Sequence, residues 1–186
     1  GAQLDLNRLA LSGGTISGGV LNLLGAQSTL TGGGSLNNTA LVIGETGLQV
    51  GSVYITNGTL RKGTGLASNA LVTVINNGFL EARGTLTLDG ATVRLASTGS
   101  TTYLRGNTSV SGSTLNIAGN GSIDFAGADN ANNDITAWHA ASTLNIGSGI
   151  SLTGTQSGGI FMGTAGTFSS TATATTGRTL TFGGRN

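Results

Sequence analysis

The stretch Ser113-Thr114-Leu115-Asn116-Ile117 returns unchanged as Ser142-Thr143-Leu144-Asn145-Ile146. Looser copies of its first three positions stand at Ser28-Thr29-Leu30, Gly58-Thr59-Leu60, Gly84-Thr85-Leu86 and Arg178-Thr179-Leu180, so that successive copies lie 26 to 36 residues apart. A strand pattern at nearly constant spacing is the signature of a solenoid, in which each repeat stacks on its neighbours and buries a continuous core. This pattern decides the architecture and points to a scaffold or surface role rather than to catalysis.

Around these copies, apolar and polar residues alternate in short runs, as in Leu4-Asp5-Leu6, Val53-Tyr54-Ile55, Leu71-Val72-Thr73-Val74 and Leu86-Thr87-Leu88. Such period-2 runs between Gly, Asn and Ser read as strands joined by turns. Asn57-Gly58, Asn77-Gly78, Asp89-Gly90 and Asn120-Gly121 supply residues able to take positive φ. Proline is absent, which suits strands that must donate hydrogen bonds on both edges. The long repeat, wide enough for two or three short strands, favours parallel stacking over an antiparallel sandwich. With rungs about 4.8 Å apart, roughly six to nine coils would give a rod of about 30 to 40 Å.

Aligned copies predict an interior column of Leu30, Leu60, Leu86, Leu115, Leu144 and Leu180. They also predict an outer threonine ladder of Thr29, Thr59, Thr85, Thr114, Thr143 and Thr179, beside a mixed column of Thr31, Arg61, Thr87, Asn116, Asn145 and Thr181. Residues 126–141, the least regular stretch, read as a loop protruding from one coil of a single domain spanning 1–186.

Glycine makes up 34 of the 186 residues, and charged residues only 8%. A low charge content with positive mean hydropathy argues against disorder, which needs low hydrophobicity and high net charge. The net charge of +1 comes without a basic run, so neither nucleic acid nor an anionic membrane surface is an expected partner. There is no cysteine, hence no disulfide framework and no thiolate metal site. No apolar run approaches the roughly 18 residues of a spanning helix. The chain opens and closes within its own pattern, which leads us to expect a segment of a larger protein.

Gly84-Thr85-Leu86-Thr87-Leu88-Asp89-Gly90, Ser12-Gly13-Gly14-Thr15-Ile16-Ser17-Gly18-Gly19 and Ser-Thr-Leu-Asn-Ile resemble the loose repeats of bacterial surface proteins. The similar families are autotransporter passengers and filamentous-haemagglutinin-type adhesins. The resemblance implies an all-β, right-handed parallel β-helix, exported to the bacterial cell surface and used in adhesion or biofilm cohesion.

Asp124, Asp129 and Asp134 stand near His139, the single histidine. Two carboxylates flanking a glycosidic bond can cleave it, yet Asp and Asn in such a stretch more simply satisfy turns, and no catalytic residue is assigned. Gly119-Asn120-Gly121-Ser122-Ile123-Asp124 is partly similar to a calcium-binding solenoid repeat. It lacks tandem copies, so neither a metal nor a cofactor is expected. Paired threonines such as Thr85 and Thr87 raise ice binding, but Arg61, Asn116 and Asn145 interrupt the column. Four Asn-x-Ser/Thr sequons, beginning at Asn37, Asn57, Asn107 and Asn120, match what chance gives in so Asn- and Thr-rich a chain.

Trp138, Tyr54 and Tyr103 are the candidate sugar platforms, and Trp138 beside His139 is the leading ligand contact. The expectation is a non-enzymatic extracellular adhesive solenoid whose partners are host or bacterial glycans, matrix, or copies of itself. The competing readings are a self-assembling fibre subunit and a polysaccharide-binding or polysaccharide-cleaving β-helix.

Overall fold

The computed structural model describes residues 2–127, 133–162, 165–174 and 179–184. Among them there is no helix; eighteen strands, β1 to β18 in chain order, form one sheet in which every strand pairing is parallel. The strands fall into three ladders that the chain visits in turn.

The first ladder runs through β1 (Gln3–Leu6), β4 (Val20–Leu23), β7 (Ala40–Ile43), the end of β8 (Leu48–Lys62), the centre of β9 (Ala70–Ala96), the start of β11 (Thr114–Phe125), β13 (Thr143–Ile146) and β16 (Ala165–Phe168). The second takes β2 (Ala10–Ser12), β5 (Ser28–Thr31) and the starts of β8 and β9. It also holds residues 92–95 of β9, residues 122–125 of β11, β14 (Ile150–Gly154) and β17 (Thr171–Ala174). The third joins β3 (Thr15–Ser17), β6 (Gly34–Asn37), the middles of β8 and β9, β10 (Thr102–Arg105), β12 (Asn133–Thr136), β15 (Gly158–Met162) and β18 (Leu180–Gly184). β8 and β9 are long because each passes through all three ladders.

Alternation along each strand sends one set of side chains inward. In the first ladder Leu21, Leu41 and Leu60 stack on successive rungs, and Leu115 stacks on Leu144. In the third, Val53, Leu80, Leu104, Ile135 and Ile160 form one column, each at 0% exposure. Leu30, Val50 and Val74 do the same in the second. Phe125 is the largest side chain to be fully buried. It fits because Gly158 leaves the space: a Cβ there would lie 2.1 Å from the ring.

The predicted leucine column holds in part. Leu60, Leu86, Leu115 and Leu144 share the first ladder, but Leu60 faces Leu88 and Leu86 faces Ile117. Leu30 belongs to the second ladder and Leu180 to the third, against Gly158. The reason is that all three strands of a coil carry the same Thr-Leu-polar-apolar pattern, so the pattern does not encode which ladder a strand joins. Early coils are also shorter than the Thr-Leu spacing, as the succession Leu21, Leu41, Leu60 shows.

The stretch 126–141 is likewise not one protruding loop. Its residues Asn133–Thr136 are β12, paired with β10 on one side and β15 on the other. Apolar Ile135 at 0% exposure is the anchor.

Where the third ladder turns into the first, the backbone takes positive φ on rung after rung: Gly18 (73°), Asn38 (49°), Asn57 (47°), Gly84 (88°) and Trp138 (62°). Glycine and asparagine enter this region at little cost. Asn57 adds a hydrogen bond, its Oδ1 accepting from the Thr85 N–H at 3.1 Å. Among the described residues, only Trp138 is a bulky side chain in that conformation, an outlier by ordinary sterics.

If the interior columns carry the fold, Leu60→Ala and Leu104→Ala should each lower stability by about 2 to 5 kcal/mol. The outward Thr59→Ala should cost less than about 0.5 kcal/mol. Urea denaturation followed by circular dichroism compares them, and equal losses for inward and outward positions would contradict the assignment of faces.

Candidate functional site

Outward positions on most of the surface are Thr, Ser, Asn and Gly, but one patch of the third ladder differs. In β9, Phe79, Glu81 and Arg83 alternate with inward Leu80 and Ala82. In β10, Tyr103 and Arg105 flank inward Leu104. Parallel register then sets Phe79 beside Tyr103, Glu81 beside Arg105, and Tyr54 of β8 on the other side of Glu81. Tyr103 is followed by Asp134 and Arg105 by Thr136.

Rings and guanidinium groups interleave across these rungs. Tyr54 and Phe79 pack with centroids 5.4 Å apart, and Tyr103 meets Trp138 edge-on at 5.6 Å. The Arg105 Cζ lies 3.7 Å from the Phe79 centroid and 4.8 Å from that of Trp138, so this guanidinium is held between two rings. Arg83 Cζ sits 4.4 Å from the Tyr54 centroid. Each such contact contributes roughly 0.5 to 2 kcal/mol, more as water is excluded.

Glu81 is the centre of the patch and is fully buried although it points outward. Its Oε1 accepts from Arg83 Nε at 2.9 Å, and its Oε2 accepts from Arg105 Nε at 3.1 Å and from the Thr108 hydroxyl at 2.8 Å. Thr108 lies on the segment 106–113 linking β10 to β11, which thereby straps over the carboxylate. Both oxygens are engaged, as a buried charge requires. Burial lowers the Arg105 pKa while Glu81 opposes that shift, and an arginine remains charged throughout the working range.

The sequence-predicted residues divide between two places. Trp138 and Asp134 belong to this patch, and His139 adjoins it, with Nε2 2.9 Å from the Thr108 carbonyl oxygen, holding the strap. Asp124 sits on the second ladder instead, 5% exposed, bound to Arg94 Nε at 3.0 Å and accepting from the Thr155 hydroxyl at 3.1 Å. Asp129 lies outside the described residues. Asp124 and Asp134 therefore stand on different ladders, and Asp124 is already engaged with Arg94 and Thr155. No group of three or more His, Asp or Glu side chains converges among the described residues.

The six threonines of the predicted ladder do not share one column. Thr29 lies on the second ladder between Ala10 and Gln49. Thr59 faces Thr87, Thr85 faces Asn116, and Thr114 faces Thr143, which in turn faces Ala165. Thr179 precedes β18, its N–H donating to Ser157 Oγ at 3.0 Å. The Asn column is instead self-bonded, Asn145 Nδ2 donating to Asn116 Oδ1 at 2.8 Å.

Sequence reasoning passed over Phe79, Glu81, Arg83, Arg105 and Thr108. The signal was present: Phe79-x-Glu81-x-Arg83 and Tyr103-x-Arg105 place aromatic and charged residues at outward i, i+2 positions of a strand in a chain otherwise poor in both. Comparison with protein-family models, with curated proteins and with solved structures gave no match.

Glu81→Ala should destabilise by about 3 kcal/mol, the lower end for breaking a buried ion pair, because Arg83 and Arg105 keep some access to water. Combining it with Arg105→Met should cost less than the two single changes added together. Thermal and urea unfolding of the four proteins completes the cycle. Additive losses would mean that the two side chains are not coupled.

Proposed function

We propose that this chain is a right-handed parallel β-helix that serves as a non-enzymatic adhesive scaffold at a bacterial surface or in extracellular matrix, contacting glycans through the third-ladder patch. The right-handed sense is what the resemblance of the repeats to autotransporter passengers and filamentous-haemagglutinin-type adhesins implies. The recurrence of strands in threes supports the helix. Extracellular location follows from the resemblance of the repeats to exported adhesins.

The observation that carries the functional reading is the row Tyr54, Phe79, Tyr103 and Trp138, interleaved with Arg83 and Arg105 on one outer face. Sugar rings present an apolar C–H face that packs on aromatic surface, while their hydroxyls accept from planar, fork-shaped guanidinium donors. A row that climbs one rung at a time suits an extended ligand lying along the stack. Such a surface binds weakly at each point and strongly in sum when the polymer and the scaffold both repeat.

Trp138 adds a second argument. A bulky residue in the left-handed region costs on the order of 1 to 3 kcal/mol and persists at sites of function more often than elsewhere. On the equivalent corners Asn38, Asn57 and Gly84 do the structural work without an aromatic ring. Placing a ring at that corner sets it against Tyr103 and Arg105, where it extends the row.

A non-enzymatic role fits the separation of Asp124 from Asp134. Incubation with a panel of polysaccharides should release no reducing ends. On a glycan array the chain should be retained, and Tyr103→Ala should reduce retention on the order of tenfold, the worth of one stacked ring. Trp138→Gly should do the same while shifting the melting temperature by only a few degrees, since relief of the backbone offsets the lost ring contacts. A blank array, or variants that bind as well as the parent, would sink the reading.

A further inference from the structure

Arg83 differs from Arg105 in what it leaves free. Arg105 is wedged between Phe79 and Trp138 with 13% of its side chain exposed, whereas 34% of the Arg83 side chain reaches solvent. Arg83 spends only Nε and Nη2 on Glu81, and both contacts go to the same oxygen, Oε1, each at 2.9 Å. A guanidinium carries five N–H donors in a plane, so the edge formed by Nη1 and the outer side of Nη2 faces away from Glu81. Packing against Tyr54 holds that plane in place.

The local charge does not cancel. One carboxylate, Glu81, meets two guanidinium groups, which leaves one positive charge in excess at the Arg83 end. Asp134, the other carboxylate of the face, lies in the Tyr103 column, two rungs from Arg83. Arg83 also stands four residues farther along its strand than Phe79, the partner of Tyr103, so the two groups are roughly 16 Å apart, a separation at which salt screens exposed charges strongly. His139 is turned to the Thr108 carbonyl.

We propose that this face takes an acidic polysaccharide, with a uronate carboxylate seated on the outer N–H edge of Arg83 and the adjoining sugar rings on the aromatic row. A carboxylate accepts two parallel N–H bonds from a guanidinium edge, a match that lysine does not reproduce. Glu81 is then a positioning residue: by holding Nε and Nη2 it aims the outer edge at the ligand. The inference rests on the glycan-binding reading and narrows it to one class of ligand.

The test uses the whole chain with polygalacturonate and with the same polymer methyl-esterified, measured by isothermal calorimetry. Binding to the free acid should exceed binding to the ester on the order of tenfold or more, as for loss of a hydrogen-bonded charge, and should weaken as salt is added. Arg83→Gln should abolish that preference, and Arg83→Lys, which retains the charge and tests for simple misfolding, should recover only part of it. Circular dichroism melts confirm that each variant is folded. Equal binding of acid and ester, or an unaltered preference in a folded Arg83→Gln, would overturn the acidic-ligand inference and leave glycan adhesion standing. Preference for a sulfated polymer over the polyuronate would overturn the carboxylate assignment. Binding to neither pectin form nor to any glycan on the array would remove both readings.

Discussion

Every other feature of this molecule depends on parallel in-register pairing between successive turns of the chain. Because each rung repeats the backbone of the one before it, an inward position stays inward and an outward position stays outward along a whole ladder. Apolar side chains thus accumulate into continuous columns such as Val53, Leu80, Leu104, Ile135 and Ile160. Each small burial is shared with two neighbours, and the stack as a whole supplies what no single coil could. The dense glycine and the absence of proline follow from the same constraint, since corners must close tightly and every strand must donate on demand.

The same pairing builds the outer patch. Phe79, Glu81 and Arg83 occupy one strand, Tyr103 and Arg105 the next, and repetition of the rung converts these i, i+2 pairs into a two-dimensional cluster. Buried charge on an outer face is uncommon in a chain of so few charged residues. It is tolerated here because two arginines and a threonine hydroxyl satisfy both carboxylate oxygens, and because the strap at 106–113 closes over them. Order at Glu81 fixes the guanidinium planes, and those planes in turn fix the rings they lie against.

Two departures from regularity lie at the patch. The strap interrupts the otherwise brief turn between β10 and β11, and Trp138 occupies a corner where other coils use Gly or Asn. The strap carries Thr108 to Glu81 and the corner carries Trp138 to Arg105, so both bring side chains onto the Glu81 cluster. A structural role alone does not call for an aromatic residue at that corner, as Asn38 and Asn57 demonstrate.

What the sequence by itself determined was the class of architecture and the inward or outward sense of most strand residues, because period-2 alternation and turn residues are local properties. It also marked Trp138, by rarity alone. The Ser-Thr-Leu-Asn-Ile pair even predicted its own register, since Leu115 stacks on Leu144. Tertiary structure alone decided which ladder each strand joins, because all three strands of a coil share one pattern and the coil lengths vary. Leu30 and Leu180 fall on other ladders for that reason, and β12 is hard to read within an irregular stretch because Ile135 is its single apolar residue. The cluster at Glu81 depends on neighbours that are 24 to 27 residues away along the chain, a distance that only the closing of a coil brings into contact.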